Sequence, residues 1–134
     1  MDHLTYLRLH ADANGESHLA RHGLALSSAE DAPHAPSMEL SALAPAAGWR
    51  FLHLPARWVG DWHPTPKRIW IFCLGGEMEF RASDGESHRL QPGGSMLLED
   101  TVGRGHHSRV LGDRDALLVA VQLDAEQDPE YFDD

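Results

Sequence analysis

The feature that most constrains this chain is a succession of short apolar segments, each cut by glycine or proline, that runs from Ile69 to Leu123. Ile69 to Leu74 is an unbroken apolar run, as expected for a strand buried on both faces. Gly75-Gly76 ends it, Glu77 to Arg81 alternates, and Ser83-Asp84-Gly85 turns the chain toward His88-Arg89-Leu90. Pro92-Gly93-Gly94 precedes Ser95 to Leu98, and a glycine-bearing loop from Asp100 to Gly105 leads to His106 to Leu111. Gly112 to Asp115 then turns into the apolar segment Ala116 to Leu123. Earlier in the chain, Leu4, Tyr6 and Arg8 alternate with their neighbours, Asp12 to Gly15 is a turn, and Ser17 to Leu26 reads as a second strand. Ser27 to Pro45 reads as a loop with one short strand around Met38 to Leu40, and Trp49 to Leu54 alternates again. No stretch holds a helical period. Strands at roughly 8–12-residue spacing predict an all-β sandwich or barrel.

At 134 residues the chain is expected to be one domain. Residues 1–59 form N-terminal strands and a loop, 60–123 the barrel core, and 124–134 an acidic tail. The 11 Lys plus Arg against 21 Asp plus Glu give a formal net charge of -10, which disfavours nucleic acid and anionic membrane as partners. No apolar run approaches the ~18 residues of a membrane span, and Met1-Asp2-His3 does not open a signal pattern, so the expected location is cytoplasmic. Cys73 is the single cysteine, which excludes an internal disulfide and a Cys-rich zinc site.

The segment Gly60-Asp-Trp-His-Pro-Thr-Pro-Lys-Arg-Ile-Trp-Ile-Phe-Cys-Leu-Gly-Gly-Glu77 resembles the first motif of the cupin superfamily. That motif runs glycine, five residues, His-x-His, three or four residues, glutamate, six residues, glycine. Gly85 to His106, with Gln91-Pro92-Gly93-Gly94, resembles the second. The overall pattern is similar to that of small bacterial single-domain cupins. The resemblance implies a double-stranded β-helix, a jelly-roll barrel around one pocket. Counting back from Gly76, the family's glutamate falls on Ile69 and its two histidines on His63 and Thr65; the second-motif histidine falls on His106. Two of the family's four metal ligands are therefore kept.

Side-chain alternation along a strand puts His63 and Thr65 on one face, with Ile69, Ile71 and Cys73 inward and Trp70 and Phe72 outward. His106 and Ser108 share a face in the same way. The expected lumen is apolar, with two imidazoles and a few hydroxyls, the profile of a small-molecule pocket. Imidazole takes and gives protons near neutral pH, so His63 and His106 could form an acid–base pair for isomerisation, cyclisation or elimination. The same two residues could hold one divalent metal (Zn, Fe, Ni or Cu), with a third ligand from Glu99, Asp100, Asp61, His53 or Cys73, or could simply be hydrogen-bonded within the barrel. Trp58 and Trp62 flank the Gly60-Asp61 turn and could stack on a ring-shaped ligand or form a lid, and Glu99 or Asp100 could serve the pocket as a base. Cys73 in an apolar strand reads as an inert thiol. His10, His18, His22, His34 and His88 read as surface residues.

These readings predict a small-molecule-binding barrel whose catalytic groups are His63 and His106 and whose substrate is touched by Trp62, Thr65, Ile69, Ile71, Cys73, Ser108 and Glu99. A ligand-binding or sensing protein without chemistry, and a metal-dependent dioxygenase-like protein, are the alternatives. Outward aromatics predict a homodimer.

Overall fold

Residues 3–28 and 38–125 are described by the computed structural model of the chain. Eleven strands follow one another without a helix among these residues: β1 His3–Ala11, β2 Ser17–Ala25, β3 Ser27–Ser28, β4 Glu39–Leu40, β5 Gly48–Leu54, β6 Ile69–Gly75, β7 Met78–Ala82, β8 Ser87–Leu90, β9 Ser95–Leu98, β10 His106–Val110 and β11 Ala116–Gln122. The turns fall at the glycines and prolines that the sequence singles out. The short strand expected near Met38 to Leu40 is β4, paired only with β3. Most of the loop before it (29–37), and the acidic tail from 126 onward, lie outside the described residues.

The main sheet has the order β2-β1-β9-β6-β11-β5, with β1 and β9 parallel and the other neighbours antiparallel. The second sheet is β10-β7-β8. Its free edge at β10 is extended by the segment 59–63 through bridges from Val59 to Arg109 and from His63 to His106. The chain therefore passes from β5 in the first sheet to segment 59–63 in the second, back to β6, over to the β7–β8 hairpin, back to β9, over to β10, and home to β11. A chain that crosses repeatedly between two facing, mainly antiparallel sheets makes a double-stranded β-helix, or jelly roll. β1, β2 and β5, all ahead of residue 60, are full strands of the main sheet.

Alternation decides what each sheet buries. Ile71 and Cys73 of β6 point inward while Phe72 and Leu74 stay exposed; Met78, Phe80 and Ala82 of β7 point inward, as do Leu118 and Ala120 of β11. Leu7, Leu9, Met96, Leu98 and Leu90 complete the core between the sheets. On β10 the inward set is His106, Ser108 and Val110, so a polar pair enters the same interior.

Candidate functional site

The site forms where segment 59–63 joins β10. His63 and His106 are directly opposite, exchanging backbone hydrogen bonds of 3.1 and 3.0 Å. Opposed residues of an antiparallel pair project to the same side, and the two rings stand 5.2 Å apart between centroids. Gly105 makes this approach possible. Its φ is +74°, and a Cβ there would lie 2.1 Å from the His63 backbone carbon. The buried hydroxyl of Ser17 donates to the Gly105 carbonyl at 2.7 Å and fixes the loop from the other side.

His106 is buried, with 4% of its surface exposed. Its Nδ1 donates to Oδ2 of Asp100 at 2.7 Å, and Asp100 is completely buried. The other carboxylate oxygen, Oδ1, accepts a hydrogen bond from Thr65 Oγ1 at 2.7 Å. The backbone of Thr65 also donates to the Asp100 carbonyl at 3.0 Å. Each oxygen of the buried carboxylate thus has a partner, as burial of such a group requires. With its proton on Nδ1, neutral His106 carries its lone pair on Nε2. That nitrogen makes no hydrogen bond among the described residues and is not sealed from solvent.

His63 is held differently. Its Nδ1 donates to the Asp61 carbonyl at 2.8 Å, and its ring is exposed at the rim rather than enclosed with His106. Segment 59–63 is an edge, and Pro64 carries the chain away from it toward β6. Both imidazoles therefore have Nδ1 occupied and Nε2 available.

The remaining residues singled out from the sequence scatter. Ile71 and Cys73 are packed into the core, and burial pushes the Cys73 thiol up from its ordinary pKa. Ser108 is buried beside His106 on β10. Trp62 is half exposed, its ring 5.6 Å from that of His107 on the outer side of β10, and Trp58 packs against the core. Glu99 turns away from the histidines: Arg8 and Arg68 both bind its carboxylate. Burial pushes the Glu99 carboxyl up, and the two arginines more than reverse this, leaving it below the usual carboxylate range. Asp100 is the acid that faces the site. Alternation past the end of β9 was the available signal, since Asp100 continues the parity of the buried Met96 and Leu98.

A cavity of about 650 Å³ opens on the inner face of the main sheet, at the end bounded by β5, β6 and β11. Its wall includes Arg50, Leu52, Thr65, Lys67, Ile69 and Gln122. Neither imidazole lines it. Thr65 is the shared residue, exposing one side to the cavity and donating to Asp100 on the other.

The donor set does not fit a closed metal centre. Two Nε2 lone pairs are offered, both Asp100 oxygens are engaged, and Ile69 stands where the resemblance puts a glutamate. No group of three or more His, Cys, Asp or Glu with metal-binding geometry occurs among the described residues. Typical catalytic zinc sites have three protein ligands.

No family model matches the chain, and no curated protein matches it. Among solved structures it is similar to the cupin domain of Cnp3 from Schizosaccharomyces pombe, at 15% identity and a TM-score of 0.44, over 92% of this chain and 86% of that one. It is also similar to a protein of unknown function from Streptococcus pyogenes, at 16% identity and a TM-score of 0.45, over 65% of this chain and 72% of the other. A third, protein NMB1881 from Neisseria meningitidis, aligns at 20% identity with a TM-score of 0.41, over 57% and 72%. The strand order defines the fold as a double-stranded β-helix. No helix among the described residues is long and apolar enough to cross a membrane.

Proposed function

We propose that this protein binds a small organic molecule and moves a proton on it, with His106 as the central group and His63 as its partner. The observation that carries this reading is the buried chain Thr65–Asp100–His106, which ends 5.2 Å from a second imidazole whose Nε2 is also free. Asp100 fixes the ring and tautomer of His106 and supplies the countercharge when Nε2 takes a proton, the role a buried carboxylate plays behind a catalytic histidine. His63, at the rim, returns a proton to another atom of the substrate or to water. Isomerisation, cyclisation and elimination all consist of such transfers. No step needs a metal.

Hydrogen–deuterium exchange tests this. Wild-type protein in D2O should speed deuterium uptake at the carbon beside the carbonyl of a small 2-oxo acid, followed by proton NMR. His106→Gln should lower that rate by about 10²–10⁴-fold, the usual weight of a positioned acid or base. Equal exchange by wild type and variant contradicts the reading. The second reading, ligand binding without turnover, is favoured by one fact: the cavity between β5, β6 and β11 touches Thr65 and not the imidazoles. It predicts ligand-dependent stabilisation by mass action with no exchange.

The partner we propose besides the ligand is a second copy of the chain. The outer face of the main sheet sets Phe51, Val119 and Phe72 in one row and Trp49, Val121 and Trp70 in the next. Trp49 is 67% exposed and Phe51 59%. An apolar face of this kind can pack on its own two-fold copy, as sheets do face to face. Sedimentation velocity should give a dimer for wild type and a monomer for Phe51→Glu. A wild-type monomer contradicts it.

A further inference from the structure

The walls of the cavity beside Thr65 reverse the charge of the chain. The protein has 21 acidic residues against 11 basic ones. Among the described residues, those lining the cavity include two cations, Arg50 and Lys67, and no carboxylate. They arrive from separate elements, Arg50 from the inner face of β5 and Lys67 from the loop before β6. Among the described residues, neither makes an ion pair, whereas the next cation in sequence, Arg68, is fully used by Asp124 and Glu99. The Asp124 carboxylate near Lys67 is turned to the Arg68 guanidinium, at 2.9 and 3.0 Å.

Two uncommitted cations over apolar walls are the arrangement that recognises an anion: charge-assisted hydrogen bonds select it, and the apolar surface of Leu52 and Ile69 takes its carbon skeleton. Arg50 offers the planar fork that matches a carboxylate in two hydrogen bonds, and Lys67 offers a point charge. Gln122 and Thr65 add neutral polar contacts on the same wall. A volume of about 650 Å³ lies in the range of small-molecule sites. We infer that this cavity selects a small organic acid, holding its carboxylate with Arg50 and Lys67 while the rest of the molecule extends toward Thr65. This names the substrate class of the proposed function and rests on that reading only where Thr65 links the cavity to Asp100 and His106.

Calorimetric titration of the full chain with 2-oxoglutarate, and with its dimethyl ester as the neutral counterpart, tests the inference. The acid should bind and the ester should not. Arg50→Gln should weaken binding by about tenfold or more, the scale of a lost charge-assisted pair. Lys67→Gln should weaken it less, and Arg50→Lys should restore only part, since the fork is lost. Arg21→Gln, at a smaller cavity elsewhere, should bind as wild type does. Thermal unfolding of each variant checks that it is folded. Equal binding of acid and ester, or undiminished binding by both cavity variants, overturns the inference. Acid binding without deuterium exchange leaves it standing and sinks the catalytic reading. Exchange that is equally fast with the neutral ester does the reverse.

Discussion

Three histidines among the described residues lean on aspartate, His18, His53 and His106, and the first and last are built for opposite purposes. His106 gives Nδ1 to one buried carboxylate and keeps Nε2 free beside a second imidazole. His18, on β2, gives Nδ1 to Asp84 and Nε2 to Asp12, both at 2.7 Å, and has nothing left to offer a substrate. That clamp ties the β1–β2 turn to the β7–β8 turn at the surface. The lesson is that carboxylate contact alone does not mark a working histidine. His53 also keeps a nitrogen free, but at the surface and away from any other imidazole; His106 combines a free nitrogen with a buried carboxylate behind it and a second imidazole beside it.

Substituting the aspartates separates His106 from His18 most sharply. Asp100→Asn keeps the size of the side chain and removes the countercharge, so deuterium exchange should drop by about 10²-fold or more. Asp12→Asn and Asp84→Asn should leave the exchange rate at the wild-type value. Equal losses at all three positions would erase the distinction.

Glycine substitutions come next. Gly105→Ala must push a Cβ into the His63 backbone at a positive φ, so chemical denaturation should show a loss of at least about 2 kcal/mol. Gly85, beside the clamp at Asp84, also has positive φ but open space around it, so Gly85→Ala should cost only about 1 kcal/mol. Similar losses at both sites would mean that segment 59–63 is not held against β10 as described.

The smallest effect is the pH dependence of the clamp. Hydrogen bonds to Asp12 and then Asp84 hold the pKa of His18 above its ordinary 6.5. Its stabilising contribution is thus complete below about pH 6.5 and fades as pH rises through the elevated folded value. The hydrogen bond from His18 holds Asp12 below its ordinary 3.8, so that half fades only as strong acid is reached. The difference in melting temperature between wild type and His18→Gln should therefore be greater at pH 6 than at pH 9, and small at both because the pair is at the surface. A difference that grows toward pH 9 contradicts the clamp.

Much of the fold was legible because alternation and glycine turns are local. Ile71 and Cys73 inward, Phe72 and Leu74 outward, and His106 with Ser108 on one face all follow from the pleat. The site was harder. Glu99 and Asp100 are adjacent acids with the same chemistry, and only the parity of β9 separates the one bound by arginines from the one behind His106. The enclosure of His63 failed because an edge segment does not bury what it carries, and no local pattern marks 59–63 as an edge. The cationic cavity was invisible for a different reason. Arg50 and Lys67 are brought together by β11 pairing with β5 on one side and β6 on the other, a long-range fact. His18 read as an ordinary surface histidine, because its two aspartates come from separate turns.

Asp100 holds His106 with its proton on Nδ1 and its Nε2 open. Side-chain 15N–1H correlation of the histidines at mildly alkaline pH reads this directly. His106 should be the Nδ1–H tautomer with an unprotonated Nε2, and Asp100→Asn should disturb this signal without moving that of His18. A His106 ring protonated on Nε2, or one unaffected by the loss of the Asp100 charge, would contradict it.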